Sequence, residues 1–197
     1  MWTHRKEQKV QISPGFLLLV GILFYLDDGT GLFPWAAGVA VLHELGHIGA
    51  AMVFHGRVEA LCLSAVGAEL RFSYSAPLNY VRESLVALAG PTANLLTGLA
   101  ALWLGAYLQA AVSLGLGIFN LLPILPLDGG RVLSNLVSEY FGPAAADCVL
   151  AVTAGVLIGL MSGFGTVFIL EYANAIPLIL ALWLLMNAVR RESAGSG

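Results

Sequence analysis

One apolar run in this sequence carries three ionisable side chains. Between Pro34 and Phe54 the only strongly polar side chains are those of His43, Glu44 and His47. Ionisable groups are costly inside an apolar span, so they favour a functional interpretation. Two histidines four positions apart lie on one face of a helix, where both imidazoles can bind one metal ion. This run therefore predicts an apolar helix that carries a metal site.

Glu44 lies between the two histidines and does not need to bind the metal. At this position a glutamate can accept a proton from the water that attacks a substrate, which is the division of roles in zinc peptidases. The structural alternative is a buried His–Glu pair that holds helices together. The pattern predicts zinc as the metal and Glu44 as a proton-transfer residue.

The composition places these residues in a membrane. Hydrophobic residues make up 58% of the 197 residues and charged residues only 11%, and the mean hydropathy is +0.85. A soluble domain of this length needs more charge to be solvated. The few charges and the net charge of -3 argue against nucleic acid as a partner. Two cysteines, Cys62 and Cys148, provide neither a disulfide framework nor a cysteine-type zinc site.

The apolar residues fall into segments that approach the length needed to cross a bilayer. We predict an all-α polytopic membrane protein with about six transmembrane helices, at about residues 12–26, 32–54, 83–104, 107–127, 148–169 and 174–189. These segments form a single domain over residues 1–192, and residues 193–197 form a disordered end.

Basic residues predict the orientation of the spans in the lipid bilayer. They occur before the first span and after the second, fourth and sixth, at Arg5, Lys6, Lys9, Arg57, Arg71, Arg82, Arg131, Arg190 and Arg191. The opposite connections carry Asp27, Asp28 and Glu171 and no Lys or Arg. By the positive-inside rule, both termini are cytoplasmic.

The connection between the second and third spans predicts a small β-hairpin. Residues 69–74 alternate between polar and apolar side chains, as in a half-buried strand. Val58, Leu61 and Leu63 indicate a preceding strand, with the turn near Val66 and Gly67. The hairpin either covers the protein's own surface or offers an edge to which an extended substrate adds a strand.

Asp128 is the candidate for a third metal ligand, since a catalytic zinc usually takes three protein ligands. It follows Pro123 and Pro126, which interrupt the helix, and precedes Gly129 and Gly130, which permit turns. Broken backbone survives at membrane depth only where it is buried in protein or lines a wet cavity. The alternative is that Asp128 only caps a turn.

Three motifs together resemble the site-2 protease family of intramembrane zinc metalloproteases. They are His-Glu-Leu-Gly-His at 43–47, Gly-Pro-Thr-Ala-Asn at 90–94, and Asn-Leu-Leu-Pro with Leu-Asp-Gly-Gly over 120–130. The resemblance covers a catalytic core of about residues 32–131. It implies zinc held by His43, His47 and Asp128, with Glu44 as general base. Asn94 and Asn120 match polar positions that either position substrate and stabilise the oxyanion or make packing hydrogen bonds between helices.

The resemblance also implies a substrate and a cellular setting. Six spans and a cytoplasmic N-terminus are most similar to the sporulation branch of the family, which processes a pro-sigma factor. The expected activity is regulated cleavage of a membrane-associated protein substrate, in the bacterial inner membrane or the membrane around the forespore. Membrane inhibitor proteins are candidate partners, and nucleic acid is not. The alternative functions are a zinc transporter and a metal-stabilised membrane scaffold.

Overall fold

The computed structural model describes residues 9–27, 29–64, 67–172 and 175–195. The elements in this part of the chain follow the order β1 (Lys9–Ile12), α1 (Pro14–Leu26), α2 (Leu32–Val53), β2 (Arg57–Ser64), β3 (Gly67–Ser73), α3 (Tyr80–Trp103), α4 (Tyr107–Asn120), α5 (Asp128–Phe141), α6 (Pro143–Tyr172) and α7 (Ile176–Gly195). The chain divides into two compact units, Met1–Ile118 and Phe119–Gly197. The first unit contains both histidines of the motif, and the second contains Asp128.

The loop before α2 is held by a single carboxylate. Asp27 accepts hydrogen bonds from the backbone N–H of Phe33 at 2.8 Å, from the Thr30 hydroxyl at 2.8 Å and from the N–H of Gly31 at 2.9 Å. The Phe33 bond is the main cause that holds the pKa of Asp27 below its ordinary value. Because Gly31, the residue before α2, has a φ of 70°, glycine suits this position. The turn thus fixes the start of the helix that carries the histidines.

The three strands form one small sheet in the order β1-β2-β3. β2 and β3 are antiparallel, with Val58 opposite Phe72 and Leu61 opposite Leu70. This pairing confirms the predicted hairpin. β1 adds to the other side of β2 in parallel, and the sequence patterns did not predict it. Of the described strands, β3 therefore forms one edge of the sheet.

In the first unit, α2 packs against α3, and Gly98 of α3 lies against Leu114 of α4. α3 begins after Asn79, whose side chain accepts a hydrogen bond from the N–H of Arg82 at 2.9 Å, a favourable N-cap. The indole N–H of Trp35, near the start of α2, lies 3.1 Å from both the Gln109 carbonyl and the Ser113 hydroxyl on α4. These contacts hold α2 within a three-helix group.

The second unit has an apolar core of its own. Ile124, Leu127, Ile158 and Leu184 are buried together, so the core joins the segment before α5 to α6 and α7. The hydroxyl of Thr153 on α6 donates to the Pro123 carbonyl at 3.0 Å. That bond satisfies one carbonyl of the non-helical segment that precedes Asp128.

Three helices of the described chain are long and apolar enough to cross a membrane: Leu32–Val53, Tyr80–Trp103 and Pro143–Glu171. Shorter apolar helices cover Pro14–Tyr25 and Pro177–Met186. The segment predicted as the fourth span is helical only over the 14 residues of α4. The mostly helical fold with a small hairpin is confirmed, whereas the count of six spans stays a prediction.

Some predicted features lie outside the described residues. These are Asp28, the turn residue Val66, the start of the sixth span at residue 174, the basic residues Arg5 and Lys6, and the side chains of Arg190 and Arg191. The single domain and the disordered end at residues 193–197 stay predictions.

Candidate metal centre

α2 brings the two histidines of the motif together. The side chains of His43 and His47 are 7% and 5% exposed, and their Nε2 atoms lie 3.1 Å apart. Two nitrogens that bind one zinc ion tetrahedrally, each at about 2.0–2.1 Å from it, are separated by about 3.3 Å. The spacing of the two Nε2 atoms therefore fits a shared zinc ion.

A backbone carbonyl of α3 fixes the orientation of the second histidine. His47 Nδ1 lies 2.8 Å from the carbonyl oxygen of Val86. A carbonyl only accepts hydrogen bonds, so Nδ1 carries the proton and donates. In the neutral imidazole, Nε2 is then unprotonated and is the nitrogen that can bind a metal ion. Metal-binding histidines commonly have such a partner on the nitrogen that does not bind the metal.

Two glycines allow α2 and α3 to approach closely at this site. A Cβ added to Gly46 would lie 2.6 Å from the carbonyl oxygen of Ala89 on α3. A Cβ added to Gly90 on α3 would overlap Nε2 of His47 and lie 2.9 Å from Cε1 of His43. Both positions therefore require the smallest side chain. Gly90 belongs to the Gly-Pro-Thr-Ala-Asn motif, but the motif alone does not reveal this steric role.

Asn94 also lies beside the histidines. It is on α3, is 0% exposed, and places its Nδ2 atom 3.0 Å from Nδ1 of His43. The sequence identified Asn94 as a polar position near the site, and the structure places it against the ring nitrogen of His43 that faces away from His47.

Glu44 lies on α2 next to His43 and is half-buried. Its position in the chain directs its side chain about 100° around the helix from that of His43. Glu44 is therefore adjacent in the chain to His43 without sharing the face of α2 that carries the two imidazoles.

Asp128 is the first residue of α5 in the second unit, and its side chain is buried. The positive end of the helix dipole favours a carboxylate there. Nη1 of Arg131, one turn later, lies 3.7 Å from Oδ1 of Asp128. His43, His47 and Asp128 are all buried, and two imidazoles and one carboxylate are side chains that together suit one metal ion.

Gly129 and Gly130, which the sequence suggested for their ability to permit turns, both lie within α5. Neither has a positive φ. Instead, a Cβ at Gly129 would lie 2.6 Å from the carbonyl oxygen of Leu122, and one at Gly130 would lie 2.5 Å from the nitrogen of Leu125. The glycines are needed because the preceding segment packs directly on the first turn of the helix.

Asn120, the other candidate amide, is the last residue of α4 and is half-buried. It belongs to the same unit as Asp128, eight residues before the start of α5. The structure therefore places the two candidate asparagines differently: Asn94 lies against His43, and Asn120 lies at a helix end.

The comparisons with known proteins first define a class. The sequence model of peptidase family M50 matches residues 106–164, a range that includes Asn120 and Asp128. The site-2 protease of Methanocaldococcus jannaschii has a similar structure, with a TM-score of 0.67 and 24% identity over 92% of this chain and 89% of that one. The fold is therefore that of a site-2 protease, and the likeness to that family predicted from the motifs is confirmed.

Two individual proteins are similar to this chain over most of its length. Zinc metalloprotease MJ0392 of Methanocaldococcus jannaschii is 26% identical over 91% of this chain and 56% of its own length. Stage IV sporulation protein FB of Bacillus subtilis is 26% identical over 90% of this chain and 62% of its own length. The chain thus spans little more than half the length of the curated relatives that it matches.

Proposed function

We propose that this chain is the catalytic part of an intramembrane zinc metalloprotease of the site-2 protease type. The observation that carries the proposal is the pair of buried imidazoles whose Nε2 atoms lie 3.1 Å apart, on an apolar helix long enough to cross a membrane. Glu44 between them supplies the acid–base group that a transporter or a scaffold would not need.

In this proposal His43, His47 and Asp128 hold the zinc ion. Two imidazoles and one carboxylate form a ligand set found in catalytic zinc sites, with the fourth position free for water or substrate. All three side chains are buried, and the hydrogen bond of Nδ1 to the Val86 carbonyl makes Nε2 the unprotonated, metal-binding nitrogen of His47. The relative MJ0392 is named as a zinc metalloprotease, which agrees with this cofactor.

The acid–base chemistry belongs to Glu44. Zinc, when bound, polarises the scissile carbonyl and lowers the pKa of water. Glu44 accepts the proton from the attacking water and later donates it to the leaving amine nitrogen. The side-chain N–H groups of Asn120 are the candidates for stabilising the negative charge that develops on the carbonyl oxygen.

The substrate class follows from the surroundings of the site. α2 has exposed apolar side chains away from the histidines, including Val41, Leu45 and Met52, which suit contact with lipid. The substrate is therefore a membrane-associated protein whose helix unwinds to expose a peptide bond. The similarity to stage IV sporulation protein FB supports a role in sporulation. Following the resemblance of the motifs, we take the substrate to be a pro-sigma factor and membrane proteins that inhibit the cleavage to be partners.

The proposed enzyme crosses the bacterial inner membrane, or the membrane around the forespore, six times and has both termini in the cytoplasm. Support comes from the three helices of membrane length, the two shorter apolar helices and the distribution of basic residues in the sequence.

The proposal is tested with Glu44→Gln, which removes the proton acceptor but keeps the size and polarity of the side chain. Membrane fractions of cells that carry the wild type or the variant are compared by mass spectrometry of protein termini. We expect an uncut membrane-associated precursor to accumulate with Glu44→Gln. Purified Glu44→Gln is expected to retain its zinc, because Glu44 is not a ligand.

Glu83→Gln is the matched control, since Glu83 is exposed in the first turn of α3. It should leave the protein termini as in the wild type. Identical termini with Glu44→Gln and the wild type would contradict the protease proposal. Zinc uptake by proteoliposomes of the purified protein would then support a transporter, and bound zinc without uptake would support a scaffold.

A further inference from the structure

Asn94 has a buried oxygen that the hydrogen bond to His43 does not use. Its Nδ2 atom lies 3.0 Å from Nδ1 of His43, while Oδ1 has no hydrogen-bond partner among the described residues. The whole side chain is 0% exposed. This orientation of the amide therefore leaves one acceptor at the metal centre without a donor, and a buried acceptor without a donor is costly in free energy.

The three hydrogen bonds that link the two imidazoles to each other and to α3 are mutually consistent when no metal is bound. The amide of Asn94 donates to Nδ1 of His43, so in the neutral ring the proton of His43 is on Nε2. That Nε2–H lies 3.1 Å from the unprotonated Nε2 of His47. Nδ1–H of His47 donates to Val86. The chain of donors runs from Asn94 through both rings to the backbone of α3.

Zinc binding conflicts with these hydrogen bonds at Nε2 of His43, because this atom carries a proton. To bind the ion, His43 Nε2 must give up its proton, and the neutral ring then carries the proton on Nδ1. Nδ1–H and the N–H of Asn94 would be two donors facing each other. A half-turn of the amide replaces the nitrogen by Oδ1, which accepts the hydrogen bond from Nδ1–H and gains the donor that it lacks.

We propose that Asn94 is a positioning residue whose amide rotates on zinc loading and so supports both tautomers of His43. The inference rests on the proposed function, because it takes zinc as the ion. It assigns to Asn94 the orientation of a ligand rather than contact with the substrate. His47 needs no such rotation, because its backbone partner can only accept.

Substitutions at Asn94 separate this role from packing. Asn94→Leu keeps the volume but supports neither tautomer, and we expect the zinc Kd to rise about 10–100-fold, the usual loss when a partner of a metal ligand is removed. Asn94→Asp retains an acceptor facing Nδ1–H and is expected to bind zinc at least as tightly as the wild type. A packing role predicts the opposite order, because leucine would be tolerated and a buried carboxylate would not.

The zinc Kd is measured by competition with a chelator on purified protein, and folding is followed by thermal unfolding. Thr97→Val, also on α3, is the control, because the Thr97 hydroxyl donates to the carbonyl of Ala93 at 2.8 Å within its own helix. It should leave the Kd unchanged. Nitrogen NMR of protein with ¹⁵N-labelled histidine provides a second readout, with His43→Gln used to assign the signals.

In the NMR spectra of the wild type we expect the proton of His43 to move from Nε2 to Nδ1 when zinc is added. An unchanged tautomer, or an Asn94→Leu protein that binds zinc as tightly as the wild type, would overturn the proposal. If Asn94→Leu fails to fold, a weaker zinc Kd for folded Asn94→Asp would overturn it as well. Zinc binding without proteolysis would count against the protease function alone, since none of these readouts depends on cleavage.

Discussion

At the scale of single residues, the metal centre depends on the lack of a side chain at Gly90 of α3 as much as on the histidines of α2. Gly90 faces both imidazoles, and no side chain larger than hydrogen fits there. Val86 and Asn94, one turn on either side of Gly90, contact Nδ1 of His47 and of His43 respectively. One face of α3 thus sets the position and orientation of both rings.

Gly90→Ala tests this steric role. The added methyl group would overlap the imidazole of His47, so we expect the purified variant to lose most of its zinc. Overpacking of this kind typically costs about 1–3 kcal/mol of stability. Metal analysis and thermal unfolding measure the two effects. Gly49→Ala is the matched control, because a Cβ at Gly49 on α2 meets no atom within 4 Å. If both variants kept full zinc content, Gly90 would have no steric role at the site.

Asp128→Asn tests the proposed third ligand. A neutral amide is a poor replacement for a carboxylate at zinc, so the zinc Kd should rise by about tenfold or more. The ion pair of Asp128 with Arg131 gives an alternative role that is purely structural. Arg131→Gln therefore serves as the comparison, and it should retain zinc. Equal zinc content in Asp128→Asn and the wild type would show that Asp128 is not a ligand.

At the scale of secondary-structure elements, the sheet follows directly after the helix that carries the histidines. Its order leaves β3 as an edge among the described strands. An unwound substrate loses backbone hydrogen bonds that lipid cannot replace. Pairing with β3 would restore some of them, as in strand addition to other sheet edges. The interpretation of β3 as a substrate-binding edge stays a prediction.

Prolines in β3 test the strand-addition hypothesis, because each removes one backbone donor. Successive N–H groups of a strand point to opposite edges, so Arg71→Pro and Phe72→Pro remove donors from different sides. One of them should disrupt pairing with β2, and the other should leave the sheet intact but slow cleavage. Arg71→Ala and Phe72→Ala are the side-chain controls.

Zinc content and limited proteolysis identify the proline variant that keeps its sheet. That variant should cut substrate markedly more slowly than its alanine control. Wild-type rates in a folded, zinc-loaded proline variant at each of the two positions would contradict strand addition.

At the scale of the whole molecule, the number of membrane crossings depends on whether α4 and the residues after it cross the bilayer. Six spans require α4 and the residues after it to cross, although its 14 helical residues extend only about 21 Å. If only the helices of membrane length crossed, α3 and α6 would separate Ser75 from Glu171. Two crossings return the chain to the same side, whereas three place these residues on opposite sides.

Single cysteines at Ser75 and Glu171 distinguish the two topologies, because both residues are exposed. They are introduced one at a time into the variant Cys62→Ser, Cys148→Ser. A membrane-impermeant maleimide should label Glu171→Cys in intact cells. Ser75→Cys should be labelled only after lysis, because the connection between α2 and α3 is predicted to be cytoplasmic. Labelling of both residues from the same side would contradict the six-span topology.

Local pattern predicted much of the fold. The second span was expected at about residues 32–54 and forms Leu32–Val53, and the third was expected at about 83–104 and forms Tyr80–Trp103. The hairpin was also predicted. The sequence pattern did not reveal β1. This strand has only four residues, too few for a periodic signal, and it pairs with β2 about fifty residues later in the chain. The pattern also did not reveal that α6 begins at Pro143, since the first turn of that helix is less apolar than the rest.

The sequence by itself determined the apolar helices, the hairpin and the placement of His43 and His47 on one helical face, because these follow from the spacing of side chains along one element. Only the tertiary structure decided which groups of α3 surround the imidazoles. The partner of His47 is the backbone carbonyl of Val86. Because any residue provides such a carbonyl, the type of residue at position 86 does not reveal this contact. The same holds for Gly90, Gly129 and Gly130, whose small size matters because another part of the chain approaches each of them closely.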